Sequence, residues 1–131
     1  MEDMKWMINP PIEDHEVPDL RESVGWSRRD GDFPVLLERC TFWAGGRNAN
    51  DRLVAFGYMT GMGLEHGYLE DIIVHPNFQG MGLGKQLVSL LVAEAHQRGI
   101  DIVTTTFHVS NKSFYEKCGA QVGYGGLWVK E

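Results

Sequence analysis

From Asp71 to Lys85 the chain reads DIIVHPNFQGMGLGK: a β-branched run, a proline, then Gln79, Gly80, Gly82 and Gly84 feeding straight into an apolar helix. That helix spans about Leu83 to Arg98, with Leu87, Leu90, Leu91 and Ala95 forming an i, i+3, i+4 stripe and Gly99 as its stop. Beyond Gly99 a second β-rich run, Ile100 to Phe107, begins. A strand, a helix and a strand in this order make a crossover, and a crossover obliges its two strands to lie parallel. The glycines at its joint let backbone amides approach an anion with no Cβ in the way, and the helix aims its unpaired N–H groups and positive dipole end at the same spot.

The remaining elements build around that unit. Met4 to Ile8 reads as a strand stopped by Asn9-Pro10-Pro11, and a helix is expected from about Pro18 to Gly25, with Leu20 and Val24 on one face. Asp32 is the expected N-cap of a second helix through Leu36, Leu37 and Cys40. Phe42 to Ala44 and Leu53 to Met59 read as strands joined by a turn-rich connection from Gly45 to Asp51. A hairpin at Gly63 to Gly67 returns the chain as Tyr68 to Val74; later come a short helix, Lys112 to Cys118, closed by Gly119, and a last strand from Gly126 to Lys130. This is an α/β order in one domain, 1–131, with no repeats and enough apolar residues, 43%, for a real core.

Charge and composition exclude several classes. A net charge of -6 disfavours a nucleic-acid backbone as partner and suits a cationic substrate. A polyanionic ligand then needs local donors: the loop amides, the helix end, Lys85, and Lys112 or Lys117. No stretch is apolar enough to cross a bilayer, and Met1 to Pro11 has neither the basic start nor the apolar run of a secretion signal, so a cytoplasmic protein without membrane partners is expected. Cys40 and Cys118 are expected to be reduced thiols, and the histidines at 15, 66, 75, 96 and 108 form no pair at metal-ligand spacing, so no metal is expected.

Three phosphate-loop patterns compete for the glycine-rich joint. The Walker loop fails because Gln79 stands where it needs glycine and Gln86 where it needs a hydroxyl for Mg²⁺. The dinucleotide pattern G-x-G-x-x-G fails because its last glycine would fall on Lys85 or Leu87. Q-x-x-G-x-G remains, matched by Gln79, Gly82 and Gly84. It resembles the pyrophosphate loop of the GNAT acyltransferase superfamily, and GYLEDIIVHP upstream and NKSFYEKCG downstream resemble that family's fourth strand and last helix, in the family's order. The block is most similar to glucosamine-6-phosphate N-acetyltransferases. The resemblance implies the GNAT fold: a central mixed, mostly antiparallel sheet of six or seven strands with four helices, strands 4 and 5 parallel and splayed around an acyl thioester. It also implies an acetyl-CoA-dependent N-acetyltransferase that transfers directly to a primary amine of a small molecule. Amino-sugar acetylation and a noncatalytic acyl-CoA-binding module are the alternatives.

The chemistry of amine acetylation names the residue types to look for. An alkylamine is mostly protonated near neutral pH and must lose a proton before it attacks a thioester. Glu70 and Asp71 are adjacent acids in an apolar strand, where alternation lets at most one readily face a given pocket. Either can act as base, directly or through water, or be a hydrogen-bonded carboxylate at a bulge. Donors for the carbonyl oxygen are expected among the amides of Ile72, Ile73 and Val74 if the strand bulges there. The departing thiolate needs an acid. Tyr115 takes that role by resemblance, Asn111 matches an asparagine at the pantetheine arm, and Gln79, Gly80, Met81, Gly82, Leu83, Gly84 and Lys85 form the cofactor loop. His75 and His108, at strand ends, are alternative bases, and Cys118 has no partner at a spacing that would make it a nucleophile. The resemblance puts acceptor recognition between about Glu13 and Cys40, where Trp26 and Phe33 are the first candidates beside Arg28, Arg29 and the acidic set Glu13, Asp14, Glu16, Asp19 and Glu22. Only a dozen residues follow Gly119, enough for one strand rather than a hairpin, so a homodimer that completes the sheet edge is the expected assembly.

Overall fold

Four strands pair antiparallel in sequence order and a fifth joins parallel, giving a single sheet β1-β2-β3-β4-β5 in the computed structural model, which describes residues 3–130. The strands are β1 (Lys5–Ile8), β2 (Phe42–Arg47), β3 (Leu53–Gly61), β4 (His66–Val74) and β5 (Ile102–Thr104). The helices are α1 (Glu16–Ser23), α2 (Phe33–Arg39), α3 (Leu83–Gln97) and α4 (Lys112–Lys117), with short 3-10 turns at Pro76–Phe78 and Val109–Asn111. β3, LVAFGYMTG, is apolar on both faces because it is the central strand: Leu53 to Met59 are all buried.

Two cores lie on opposite faces of the sheet. On one, the predicted stripe of α3 places Leu87, Leu91 and Ala95 against Phe42, Met59 and Leu69, with Tyr115 of α4 at the margin. On the other, Val17 and Leu20 of α1 and Phe33 of α2 pack on Leu53, Phe56, Tyr58 and Ile73. Each fully buried leucine contributes roughly 1.5–3 kcal/mol. A bidentate pair ties the second layer to the sheet: Arg47 Nη1 and Nη2 donate to Glu16 Oε2 and Oε1 at 2.7 and 2.9 Å.

The boundaries differ from the sequence reading in ways that side chains explain. β2 runs on through Gly45 and Gly46, expected in a turn, because a bare backbone fits there: a Cβ on Gly46 would lie 2.8 Å from Trp6 Cζ3. Asp32 sits at the α2 N-cap position without making the cap; its carboxylate is engaged by Arg29 Nε at 2.6 Å. The largest correction is to strand number: among the described residues the sheet has five strands, not six or seven. β5 keeps only Ile102–Thr104 of the expected run to Phe107, because Thr105 turns its hydroxyl onto Leu69 O at 3.1 Å. Gly126 to Lys130 forms no strand. With Gly123, Gly125 and Gly126 in the segment and so short a neighbouring edge, few ladder bonds would offset the ordering entropy. Tyr124 and Trp128 are consequently almost fully exposed.

Candidate active site

The glycine-rich joint is shaped by its own backbone. Gly80 and Gly82 both take left-handed conformations, φ +81° and +80°, which L side chains resist. Gln79 Nε2 donates to Val74 O at 2.9 Å and so clamps the turn to the end of β4. Gly82 is the N-cap of α3 and supplies no capping side chain, which leaves the first-turn amides open toward the loop.

These amides face a cavity of about 470 Å³ between β4, α3 and α4. It brings together most of the predicted cofactor residues, namely Ile72, Val74, Gln79, Gly80, Gly82, Leu83, Gly84, Lys85 and Asn111, and adds Phe114, Tyr115 and Lys117. Lys85 and Lys117 give it positive charge, whereas Lys112 lines a separate hollow with Phe107 and Val109. Two predicted positions stay outside it: Ile73 is 2% exposed in the α1–α2 core, and Met81 projects toward solvent. Asn111 precedes α4 but makes no side-chain cap, so its amide is uncommitted.

β4 carries a bulge. Phe56 pairs with Ile73 and Tyr58 with Glu70, so Gly57 alone stands opposite both Asp71 and Ile72. Asp71 adopts φ +51°, a left-handed conformation that aspartate tolerates better than most residues. Gly57 is needed opposite it, since a Cβ there would lie 2.6 Å from Ile72 Cδ1. The extra residue inverts the alternation of the strand. Leu69 before the bulge and Ile72 and Val74 after it pack against the α3 core, while Ile73 faces α1 and α2.

Glu70 and Asp71 consequently open together into a second cavity of about 250 Å³, on the α1–α2 side of the strand. Alternation allowed only one of them there; the bulge sets that rule aside. The two acids differ in their partners. Asp71 is held by Arg21, Nη1 to Oδ2 at 2.6 Å, with both side chains largely buried. Arg21 in turn donates through Nε to Ser27 O at 2.7 Å, and its guanidinium lies 5.4 and 5.8 Å from the ring centres of Trp26 and Phe33. Glu70 has no cationic partner among the described residues; Tyr58 donates its hydroxyl to Glu70 Oε2 at 3.1 Å. Burial first, then the Glu70 carboxylate, pushes the Tyr58 phenol well above its usual range, so it stays a donor.

The ladder between β4 and β5 stops at Tyr68 and Thr104. From Leu69 onward the β5 side of β4 has no strand partner, and the two strands part there. Tyr115 stands at the parting, 9% exposed, stacked on Phe107 at 4.5 Å and edge-on to Phe114 at 4.9 Å. Burial raises its phenol above the ordinary value, which keeps the proton on the oxygen at neutral pH.

The remaining candidates have structural work elsewhere. His75 Nδ1 accepts from Asn77 N at 3.1 Å, and its ring lines a hollow with His15 and Asp19. His108 Nδ1 accepts from Ser110 N at 3.2 Å. Cys40 and Cys118 are free, and burial raises both thiols, that of Cys40 to about 11, the reverse of what activates a nucleophile. Phe33 is 2% exposed yet lines the second cavity, while Trp26 covers Arg21 and does not line it. Sequence reasoning missed Arg21 and Tyr58. Neither sits in a motif: Tyr58 meets Glu70 as its cross-strand partner, and Arg21 meets Asp71 where the bulge turns that acid toward α1.

Comparison with known proteins gives the arrangement a context. The model of the acetyltransferase (GNAT) family matches residues 2–120. An uncharacterized N-acetyltransferase, ycf52, of Pyropia yezoensis is 30% identical over 115 residues, covering 85% of this chain and 66% of its own length. A glucosamine 6-phosphate N-acetyltransferase of Arabidopsis thaliana is 42% identical over 53 residues, 40% of this chain and 36% of that protein. The chain thus spans 66% or less of these relatives. A probable acetyltransferase of Staphylococcus aureus superposes with a TM-score of 0.80 over 100% of both chains at 21% identity, a likeness of fold.

Proposed function

The chain belongs to the acetyltransferase (GNAT) family, and on that premise we propose that it transfers the acetyl group of acetyl-CoA directly to the primary amine of a small molecule. The observation that carries this reading is the β4 bulge. One strand walls two cavities, with a cationic, amide-lined slot on one face and an unpaired carboxylate on the other.

The residues present fit the cofactor. Acetyl-CoA would supply the activated thioester. Two left-handed glycines and an uncapped helix end offer amides to a diphosphate, and Lys85 and Lys117 offset the net charge of -6 at the same mouth. The β5 side of β4 beyond Tyr68 gives a pantetheine arm backbone to pair with, and Asn111 an amide. Glu70 takes the proton of the incoming ammonium, its carboxylate held by Tyr58. Asp71, neutralised by Arg21, holds the bulge. Amides of Ile72 and Val74, which point away from β3, would donate to the carbonyl oxygen, and Tyr115 would protonate the departing sulfur and recover a proton from the nitrogen, which sheds its second as it becomes an amide. A second copy of the chain is the proposed cover for the edge of β5 and for exposed Tyr124 and Trp128.

Thiol release from acetyl-CoA across an amine panel tests the reading. Tyr115→Phe is expected to lower kcat by about 100-fold, with little change in the KM for acetyl-CoA, since general acids contribute 10²–10⁴. Equal turnover by both proteins removes Tyr115 as the acid, and cofactor binding without turnover of any amine leaves only a binding module.

A further inference from the structure

Resting on the acetyl-transfer reading, we propose that the acceptor is a compact amine bearing no anionic group, rather than a phosphorylated amino sugar. The cavity below Glu70 decides this through its charges. Its cationic lining consists of Arg21 and Arg29; neither lysine nor histidine contributes. Both guanidiniums already hold a carboxylate, Arg21 that of Asp71 and Arg29 that of Asp32, each at 2.6 Å.

Arg21 is not free to change partner. Its Nε is bound by Ser27 O, its plane is flanked by Trp26 and Phe33, and its side chain is 12% exposed. Turning it toward a ligand would strip Asp71, itself 14% exposed, of its counter-charge, and an unpaired buried carboxylate is costly. Arg29 is already paired with Asp32 and lies exposed at the rim, where water screens whatever it could offer a ligand's anion. Glu70 therefore remains as one carboxylate in excess over the cations of the cavity. An ammonium group supplies the missing charge. A phosphate or carboxylate on the same small molecule would meet three carboxylates and no uncommitted guanidinium.

Size points the same way. At about 250 Å³ the cavity lies below the usual range of small-molecule sites, roughly 300–1,000 Å³, with Phe33, Leu36 and Tyr58 as its walls. A compact amine is the size that fills it. The sequence likeness to glucosamine-6-phosphate acetyltransferases lies in the segments from Gly67 to Gly119, whereas Arg21, Arg29 and Phe33 precede it. The motif likeness thus reaches the two acids of the acceptor cavity but not Arg21, Arg29 or Phe33.

Matched pairs isolate the anion: glucosamine against its 6-phosphate, tyramine against tyrosine, tryptamine against tryptophan. For each, kcat/KM is read by thiol release and Kd by calorimetry with CoA present. The member without the anion is expected to be favoured at least about tenfold in any pair that the protein accepts. Added salt and Glu70→Gln are both expected to narrow that ratio. Equal treatment within pairs, preference for the phosphorylated or carboxylated member, or no binding by any of the six overturns the proposal. If the amines bind with this preference but none is acetylated, the acceptor class stands and acetyl transfer fails. If the anionic members are acetylated faster, transfer stands and the acceptor class fails.

Discussion

At the scale of single residues, two neighbouring carboxylates in one cavity have been given different tasks by their partners. Glu70 faces a hydroxyl donor; Asp71 faces a guanidinium largely removed from water. Glu70→Gln is expected to lower kcat by about 100-fold while leaving the melting temperature within a few degrees, because only a proton acceptor is lost. Asp71→Asn keeps a side chain that tolerates the left-handed backbone but strands Arg21. A loss of about 2–3 kcal/mol of stability is expected in urea unfolding, with a smaller fall in kcat than Glu70→Gln gives. If Asp71→Asn leaves stability untouched and abolishes turnover, the roles are reversed. The sequence made the acidic pair visible but not the division of labour. That depends on Arg21, fifty positions away on α1, which a local pattern reads as a surface arginine.

Elements show how much of a site can be read from pattern. The loop from Gln79 to Lys85 was legible because its glycines and the helix stripe behind them are local signals, and the structure gathers most of those residues at one cavity. The bulge could be raised from the sequence only as a condition on Glu70 to Val74, not read from it. It arises where Gly57 meets Asp71 and Ile72, a long-range pairing with no mark in either strand alone. The missing last strand has a related cause: Leu127, Trp128 and Val129 make an apolar run that suits a strand, yet a strand needs an edge, and β5 offers three residues. Gly57→Val is expected to push Ile72 and Leu91, whose methyls would lie 2.6 and 2.9 Å from the new Cβ. Such overpacking costs about 1–3 kcal/mol and should raise the KM of both substrates, a result readable by steady-state kinetics. Gly82→Ala strains the left-handed cap by about 1–2 kcal/mol and should weaken CoA binding about tenfold in calorimetry. Unchanged affinity would place the diphosphate elsewhere.

For the molecule as a whole, α1 must stay docked, because it carries Arg21 to the bulge. The Glu16–Arg47 pair is one of its ties, and the Arg47 hydrogen bonds hold the Glu16 carboxyl below its ordinary value of 4.5. A depressed carboxylate binds fewer protons folded than unfolded. Its stabilisation is therefore complete above the ordinary value and is lost as pH falls through the lowered one. Urea midpoints measured from about pH 7 down to about pH 3 should fall on the acid side, and Glu16→Gln should be less stable at neutral pH with a shallower acid decline. A parallel decline in both proteins would assign the acid sensitivity to other groups.

The central claim is that the turn from Gln79 to Lys85 holds the diphosphate of CoA at the open end of α3. Amide NMR during a saturating CoA titration tests it most directly. The backbone amides of Gly80 to Lys85 are expected to shift and gain exchange protection, while those of α2, behind the acceptor cavity, stay nearly unchanged. Saturating CoA that leaves the loop amides where they were would contradict the account.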